Sequence, residues 1–278
     1  MWYKSRMCEL CHKHGDGQVW YRNARNYAQD LLADLRRRRF IEDFYRTTMT
    51  EGIVALGRLE TIHRRKGRLP QKLVRAIVEQ AREEHFGQVV TIEDVREIVG
   101  AAAQVVRLPC ACRWVSDHTE ARSCYSLSYS ADPWFKSLDP GSFGAPPTAG
   151  LETVTAEEAV SQMAALEAGG AVHTIWTMVT PFIGAICNCT PKECLGLRNL
   201  ALGLDTLSPG ERFATVDPLA CSGCGLCLER CHFGAISLAD SNGRTAARVD
   251  PTRCYGCALC ANACPEQAMA LRPAAARG

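Results

Sequence analysis

The feature that most constrains this chain is a run of four cysteines that occurs twice near its C-terminal end. The runs are Cys221, Cys224, Cys227 and Cys231, followed by Cys254, Cys257, Cys260 and Cys264. Each run has the spacing C-x2-C-x2-C-x3-C, and the second begins 33 positions after the first. The flanking residues repeat as well, since Val216-Asp217-Pro218 matches Val249-Asp250-Pro251. Two copies of one cysteine loop predict two equivalent metal sites.

The cysteine spacing favours iron–sulfur clusters as the bound metal. Cluster iron is soft and prefers thiolate ligands, and two-residue gaps let three thiolates of one loop face one cluster. Small residues inside the loops, such as Gly223, Gly225 and Gly256, allow main-chain N–H groups to approach the cluster sulfurs. Zinc is the alternative metal that the same thiols would bind. The spacing itself is that of a cubane, so the tail is predicted to hold two [4Fe–4S] clusters.

Residues 213–273 resemble the bacterial-type 2[4Fe–4S] ferredoxin domain. This resemblance implies a C-terminal ferredoxin-like fold of two βαβ-like halves, in which the fourth cysteine of each run binds the other cluster. It assigns cluster I to Cys221, Cys224, Cys227 and Cys264, and cluster II to Cys254, Cys257, Cys260 and Cys231. His232 stands where the first run usually continues with proline, which affects the expected loop geometry but not the ligands.

Six further cysteines lie in three short segments of the middle of the chain. They are Cys110, Cys112, Cys124, Cys187, Cys189 and Cys194. Two C-x-C pairs and their neighbours predict a third iron–sulfur cluster or another metal site. Buried free thiols or redox disulfides are the alternative, because a free cysteine often serves as a small buried apolar residue. Arg113 either offsets thiolate charge, binds an acidic partner or forms a surface ion pair.

Residues 107–273 resemble, more weakly, 4Fe–4S dicluster proteins of anaerobes. These carry C-x-C-R, a lone cysteine, a helix ending near Val-His, a C-N-C element and a two-cluster ferredoxin tail. Members often show a denser cysteine run after C-N-C, whereas here Thr190–Glu193 intervene before Cys194. The resemblance implies an anaerobic setting. Because the denser cysteine run is missing, it leaves the ligand set of the middle region open.

The N-terminal segment carries a small cysteine and histidine group. Cys8, Cys11 and one of His12 or His14 predict a zinc site or another small metal site with a ligand from elsewhere. The spacing C-x-x-C-H also matches c-type haem attachment, and a merely redox-active cysteine pair is the third interpretation.

Hydrophobic periodicity predicts an α+β chain with a helical N-terminal region, a mixed α/β middle region and the ferredoxin-like tail. Helix is predicted from Asn23 to about Ala103, strands on both sides of Thr180-Pro181, and a loop over Leu138–Gly150. Capping boxes begin helices at Thr91 and Thr155. The expected segments are residues 1–22, a helical domain at 23–106, a cysteine-containing α/β domain at 107–210 and the ferredoxin domain at 211–273.

Several function classes lack support in the sequence. There is no G-x-G-x-x-G after a strand and no G-x-x-x-x-G-K-[ST] loop, so nicotinamide, flavin and ATP sites of those types are not predicted. Met1–Glu9 has no apolar signal segment, which predicts a cytoplasmic protein. The longest apolar stretch, Ala171–Cys187, is too short and interrupted for a membrane span.

Three functions fit these patterns. The first is an electron-transfer protein or subunit that exchanges low-potential electrons with redox protein partners, in a larger oxidoreductase complex. The second is a redox enzyme whose substrate binds beside the middle cysteines, with His118 or His173 as a non-cysteine ligand; a pocket there would favour it. The third is a sensor that binds DNA through Arg36–Arg39, although acidic neighbours such as Glu42 weaken the basic field.

Overall fold

The computed structural model describes residues 9–137, 150–241 and 243–274. Short helical elements form the N-terminal region and lead into two longer helices. They are α1 (Glu9–His14), three 3-10 turns between Trp20 and Ala33, α2 (Leu35–Asp43), a π turn (Phe44–Thr48), α3 (Met49–Lys66) and α4 (Gln71–Glu84). Pro70 precedes α4, as the sequence predicted. The loop predicted over Leu138–Gly150 lies outside the described residues except for Gly150.

A seven-stranded sheet forms the middle of the molecule. Its strands are β1 (Gly87–Val90), β2 (Gln104–Leu108), β3 (Cys124–Ser128), β4 (Glu152–Val154), β5 (Val172–Thr177), β6 (Ile183–Cys189) and β7 (Leu207–Ser208). Their order is β4-β2-β3-β6-β5-β1-β7. All neighbours are antiparallel except β1 and β7, which run parallel. The central strands β5 and β6 are buried along most of their length, so the sheet forms the core.

Helices cover the sheet, and two of them begin as predicted. They are α5 (Ile92–Ala101), α6 (Ala111–Asp117), α7 (Ala156–Ala168) and α8 (Leu195–Ala201). Thr91 with Asp94 and Thr155 with Glu158 form complete capping boxes, each satisfying main-chain N–H groups at a helix start. Helices α5 and α7 pack on one face of the sheet together with the N-terminal Trp20 and Tyr27.

The prediction of a helical region from Asn23 to about Ala103 is wrong at two places. Residues 24–33 form 3-10 turns rather than an α-helix. Gly87–Val90 is a strand between β5 and β7, buried at all four residues. Because both faces of β1 are covered, its residues show no alternation of polar and apolar side chains, and long-range pairing decides its conformation.

The tail folds as two interlocked halves. Its elements are β8 (Arg212–Val216), α9 (Leu226–Arg230), β9 (Ile236–Ser241), β10 (Arg244–Val249), α10 (Leu259–Asn262) and β11 (Met269–Pro273). Strand β8 pairs with β11, and β9 pairs with β10, both antiparallel. The predicted α+β class with a C-terminal ferredoxin-type domain is therefore confirmed.

The tail docks directly on the middle sheet region. The N–H of Gly210 donates to the carbonyl oxygen of Tyr255 at 2.9 Å, and His232 Nε2 lies 2.7 Å from the carbonyl oxygen of Gly170. None of the described helices has the length and apolar character needed to cross a membrane.

Candidate iron–sulfur centres

Two small cavities in the tail are each walled by four cysteines. One is lined by Cys221, Cys224, Cys227 and Cys264, and the other by Cys231, Cys254, Cys257 and Cys260. Each has a volume of about 20 Å³. Three cysteines in each set come from one run and the fourth comes from the other run. The fold thus brings together the two crossed sets that the resemblance implied, although ligation itself stays a prediction.

Main-chain N–H groups point at the cysteine sulfurs in a repeated pattern. The N–H of Ala214 donates to Cys254 Sγ at 3.4 Å, and the N–H of Ala247 donates to Cys221 Sγ at the same distance. Ala214 and Ala247 occupy equivalent places in the two copies of the repeat. Donors of this kind stabilise negative charge on sulfur and help to set the potential of a bound cluster.

Two equivalent glycines explain why the cysteine loops need small residues. Gly223 and Gly256 both have φ of +72°, in the left-handed region that favours glycine. A Cβ on Gly223 would lie 2.6 Å from the carbonyl oxygen of Thr245, and a Cβ on Gly256 would overlap that of Arg212. The loops therefore lie against neighbouring main chain with no space for a side chain at these positions.

The two tail sites differ in exposure. Cys224 is exposed, whereas Cys254, Cys257 and Cys260 are buried. Burial raises the pKa of the Cys257 thiol to about 12, so deprotonation there depends on a bound cation. The site of cluster I thus has an exposed cysteine, whereas three of the four cysteines at the site of cluster II are buried.

Comparison with known proteins agrees with this geometry. Residues 220–268 match the family model described as a 4Fe-4S dicluster domain. None of the curated proteins compared with the whole chain gave a match. The C-terminal part is thus a 4Fe-4S dicluster domain, which confirms the predicted ferredoxin-type tail and supports iron–sulfur clusters and a role in electron transfer.

The six middle cysteines meet at one end of the sheet. Cys110 and Cys112 flank the start of α6, Cys124 opens β3, Cys187 and Cys189 end β6, and Cys194 precedes α8. Antiparallel register places Cys124 opposite Cys187. Side-chain interactions join Cys110 to Cys112, Cys124 and Cys189, and join Cys189 to Cys194. The sheet therefore gathers three distant segments into one cysteine group.

The charge state of this group is shared among its thiols. Hydrogen bonding from Cys112, Cys124 and Cys189 lowers the pKa of Cys110. The interaction with Cys110, together with burial, raises the pKa of Cys189. Within the described ranges, no three His, Cys, Asp or Glu side chains are spaced to hold a single metal ion. The tail cysteines do not have that spacing either, so the finding bears on a lone ion and not on a cluster.

Arg113 supplies positive charge beside the middle cysteines. Its Nη2 lies 3.9 Å from Glu193 Oε2, and its Nε is buried with no hydrogen-bond partner in the part of the chain that the structure describes. Burial acts to lower the pKa of Arg113, but the negative charge shared by the cysteine group and that of Glu193 outweigh it and raise the pKa. The ion pair with Glu193 is thus largely buried and not the predicted surface pair, and compensation of thiolate charge by Arg113 stays a prediction.

A large cavity opens beside the middle cysteines. Its volume is about 240 Å³, twelve times that of each tail site. Five of the six cysteines line it, all except Cys110. Phe44, His85 and Trp176 also line the cavity. No sequence motif marks these three residues, because they come from separate elements and meet only in the folded chain.

The two histidines proposed as alternative ligands do not line this cavity. His173 is fully buried in β5, and its Nδ1 donates to Asn188 Oδ1 at 2.5 Å. His118 is exposed at the end of α6, where its ring contacts Trp114 edge-on. Both have ordinary roles in the fold at these positions.

Glu167 connects the middle region to the tail. Its Oε1 accepts a hydrogen bond from Asn262 Nδ2 at 3.1 Å and lies 3.8 Å from His173 Nε2. Burial raises the pKa of Glu167 to about 7. Asn262 is the last residue of α10, between Cys260 and Cys264, so a buried titratable carboxyl group lies next to the second cysteine run.

The N-terminal candidates are only partly described, because Cys8 lies outside the described residues. Cys11 is buried in the core with its Sγ 3.9 Å from Glu211 Oε1, whereas His12 is exposed on the same short helix. Burial lowers the pKa of His14. Cys11 and His12 thus differ in exposure, and the metal site stays a prediction.

The arginine run has structural contacts. Arg37 is buried, and its Nε and Nη2 donate to the carbonyl oxygen of Val179 at 3.1 and 3.0 Å. Arg36 pairs with Glu84 at 3.0 Å. At least two of the four arginines therefore stabilise the fold instead of presenting free charge to a phosphate.

Proposed function

We propose that the protein is an iron–sulfur electron-transfer protein or subunit that exchanges low-potential electrons with a partner oxidoreductase. The observation that carries this proposal is the pair of crossed four-cysteine cavities inside the 4Fe-4S dicluster domain. Clusters bound there supply one-electron chemistry. The residues of this chain set where electrons enter, how the sites are insulated and what surrounds each sulfur.

An exposed apolar rim supports a protein partner at the cluster I site. Leu226 and Leu238 line that cavity and are 43% and 40% exposed, while Leu219, just before Cys221, is 78% exposed. Apolar side chains grouped on a surface favour docking of another protein. Cys224, exposed at the same place, brings a bound cluster to the contact surface.

Continuous apolar packing supports a path from the tail to the middle region. Cys257, from the cluster II site, belongs to the same buried apolar group as Cys110, Cys189 and Cys194. The stacked rings of Phe233 and Tyr255, with centroids 4.3 Å apart, pack against this group. Close packing without water shortens the separation of redox sites and insulates them. We therefore propose the order partner, cluster I, cluster II, middle cysteines.

The middle cysteines are proposed to hold a third iron–sulfur cluster. Their support is the convergence of six thiols and the adjacent positive charge of Arg113. A cubane takes four thiolates, so two cysteines remain for the surrounding wall. Cys110 and Cys189, which interact with each other and with further thiols of the group, are proposed as two of the four ligands. The same proposal includes a cytoplasmic and anaerobic setting and membership of a larger oxidoreductase complex. It divides the chain into domains at 1–22, 23–106, 107–210 and 211–273.

Anaerobic purification with iron analysis and an EPR redox titration tests both statements. We expect about eight irons from the tail and about four more from the middle site. The double variant Cys110→Ala/Cys189→Ala is expected to lose about four irons and one EPR signal while the tail signals keep their potentials. Fewer than about four irons in reconstituted wild-type protein would contradict electron transfer. An unchanged iron content in the double variant would contradict the third cluster alone.

A redox enzyme is the second candidate function, and the 240 Å³ cavity beside the middle cysteines favours it. A simple relay requires only sites of the size found in the tail. Room for a further molecule next to the proposed third cluster is the feature by which an enzyme would differ from a carrier.

A further inference from the structure

Part of the lining of the large cavity beside the middle cysteines consists of stacked aromatic rings. His85 and Trp176 stack with ring centroids 4.8 Å apart and an interplanar angle of 19°. The ring of Phe44 is tilted against that of His85, and the centroids of these two rings are 4.6 Å apart. All three residues line the cavity. Such a surface attracts flat, unsaturated molecules through offset stacking and edge contacts.

The indole of Trp176 is held in one place. Its Nε1 donates to Thr174 Oγ1 at 2.8 Å. A Cβ on Gly87 would lie 2.8 Å from the indole ring, and a Cβ on Gly196 would overlap the ring. Two glycines therefore allow main chain to approach the ring closely from β1 and α8. A wall fixed in this way recognises a ligand without loss of side-chain freedom on binding.

His85 lines the cavity, and one of its two ring nitrogens is available as a hydrogen-bond acceptor. Its Nδ1 donates to the carbonyl oxygen of Thr177 at 2.7 Å, which leaves Nε2 as the nitrogen with a free electron pair. Burial lowers the pKa of His85 to about 4, outweighing the opposing effect of that hydrogen bond. The ring is therefore neutral at neutral pH, and its acceptor suits a ligand with a hydroxyl group.

The tail sites serve as a size comparison for the cavity at the middle cysteines. Each four-cysteine site there occupies about 20 Å³, against about 240 Å³ for the cavity at the middle cysteines. The middle cavity exceeds a tail site by about 220 Å³, so it has room beyond that of a four-cysteine site. An apolar cavity of about 150 Å³ is enough to admit benzene. The remaining space thus accommodates a single substituted ring.

We propose that this cavity binds a small phenol-type molecule, with its ring against Phe44, His85 and Trp176 and its hydroxyl group donating to His85 Nε2. This inference deepens the second candidate function, because it names the ligand class of the cavity beside the proposed third cluster. The binding surface consists of protein side chains, so it is testable separately from the cluster.

Calorimetry on the anaerobically purified full-length protein tests the proposal, with phenol as the probe and toluene as the ring of similar shape without a hydroxyl group. We expect the dissociation constant of phenol to be roughly tenfold lower than that of toluene, because phenol forms one additional buried hydrogen bond. His85→Phe keeps an aromatic ring and removes the acceptor, so it is expected to abolish this preference. Equal binding of phenol and toluene by the wild type would overturn the assignment of His85.

A matched pair of helix variants tests the location. Ala81 lines the cavity from α4, whereas Ala76 on the same helix is exposed. Ala81→Leu fills the cavity and is expected to weaken phenol binding at least tenfold, while Ala76→Leu leaves it unchanged. Equal weakening by both, or no phenol binding by wild-type protein, would overturn the site. Iron content measured on the same samples separates this outcome from failure of the third cluster.

Discussion

The imidazole Nε2 of His232 donates to the carbonyl oxygen of Gly170, 2.7 Å away. His232 stands in the first cysteine run at the place where proline was expected, and Gly170 ends the turn after α7. The departure from the usual pattern thus provides a contact between the tail and the middle region, and the cysteine loop around it keeps its crossed arrangement.

His232→Ala is expected to loosen this docking without loss of iron. A hydrogen bond of this kind contributes about 1 kcal/mol, so amide hydrogen exchange at residues 169–171 should become about fivefold faster. His12→Ala, at an exposed histidine of α1, serves as the control and should leave exchange there unchanged. Loss of iron in His232→Ala would mean that the histidine supports the cluster loop instead.

Crossed ligation predicts different results for two double variants that share one substitution. Cys231→Ala with Cys254→Ala removes two ligands from one predicted site and is expected to lose about four tail irons. Cys231→Ala with Cys221→Ala removes one ligand from each site and is expected to damage both clusters. Iron analysis and EPR distinguish the two variants. Damage to both clusters in the Cys231/Cys254 variant, with loss of only one cluster in the Cys231/Cys221 variant, would show that each run holds its own cluster.

Gly256→Ala is expected to weaken retention of cluster II. The new Cβ would overlap the carbonyl oxygen of Arg212, in addition to the cost of roughly 1–2 kcal/mol for a side chain at positive φ. Gly243→Ala is the matched control, because Gly243 also has positive φ, +74°, but has open space around it. Iron release in the presence of a chelator measures the effect. Similar release from both variants would mean that backbone strain alone, and not the close approach to Arg212, controls retention.

Glu167 is expected to make stability depend on pH. Its carboxyl group has a pKa of about 7 in the folded protein, against 4.5 as its ordinary value. The stabilisation of the folded state by this protonated carboxyl group is therefore complete below about pH 4.5 and is lost as pH rises through 7. Across this window, the free energy of unfolding of the wild type should fall by about 3 kcal/mol relative to that of Glu167→Gln.

Unfolding midpoints at pH 5 and pH 8 measure this difference. Glu157→Gln, at an exposed position of the same helix α7, is the control and should show the same pH dependence as the wild type. A constant difference between wild type and Glu167→Gln at both pH values would show that the carboxyl group is ionised throughout.

The sequence by itself determined the features that depend on local spacing. Cysteines separated by only two or three other residues must share a loop, so the two-cluster tail followed from the chain alone, and the family match agrees with it. The capping boxes at Thr91 and Thr155 were likewise readable, because a helix start is satisfied by residues within one turn.

The tertiary structure alone decided what lies between distant segments. Cys124 meets Cys187 because β3 pairs with β6, and no local pattern specifies that register. His85 and Trp176 form one cavity wall only after β1 and β5 bring the end of α4 to the sheet. Local spacing fixes what one loop can bind, whereas a cavity depends on the long-range pairing that places its walls opposite each other.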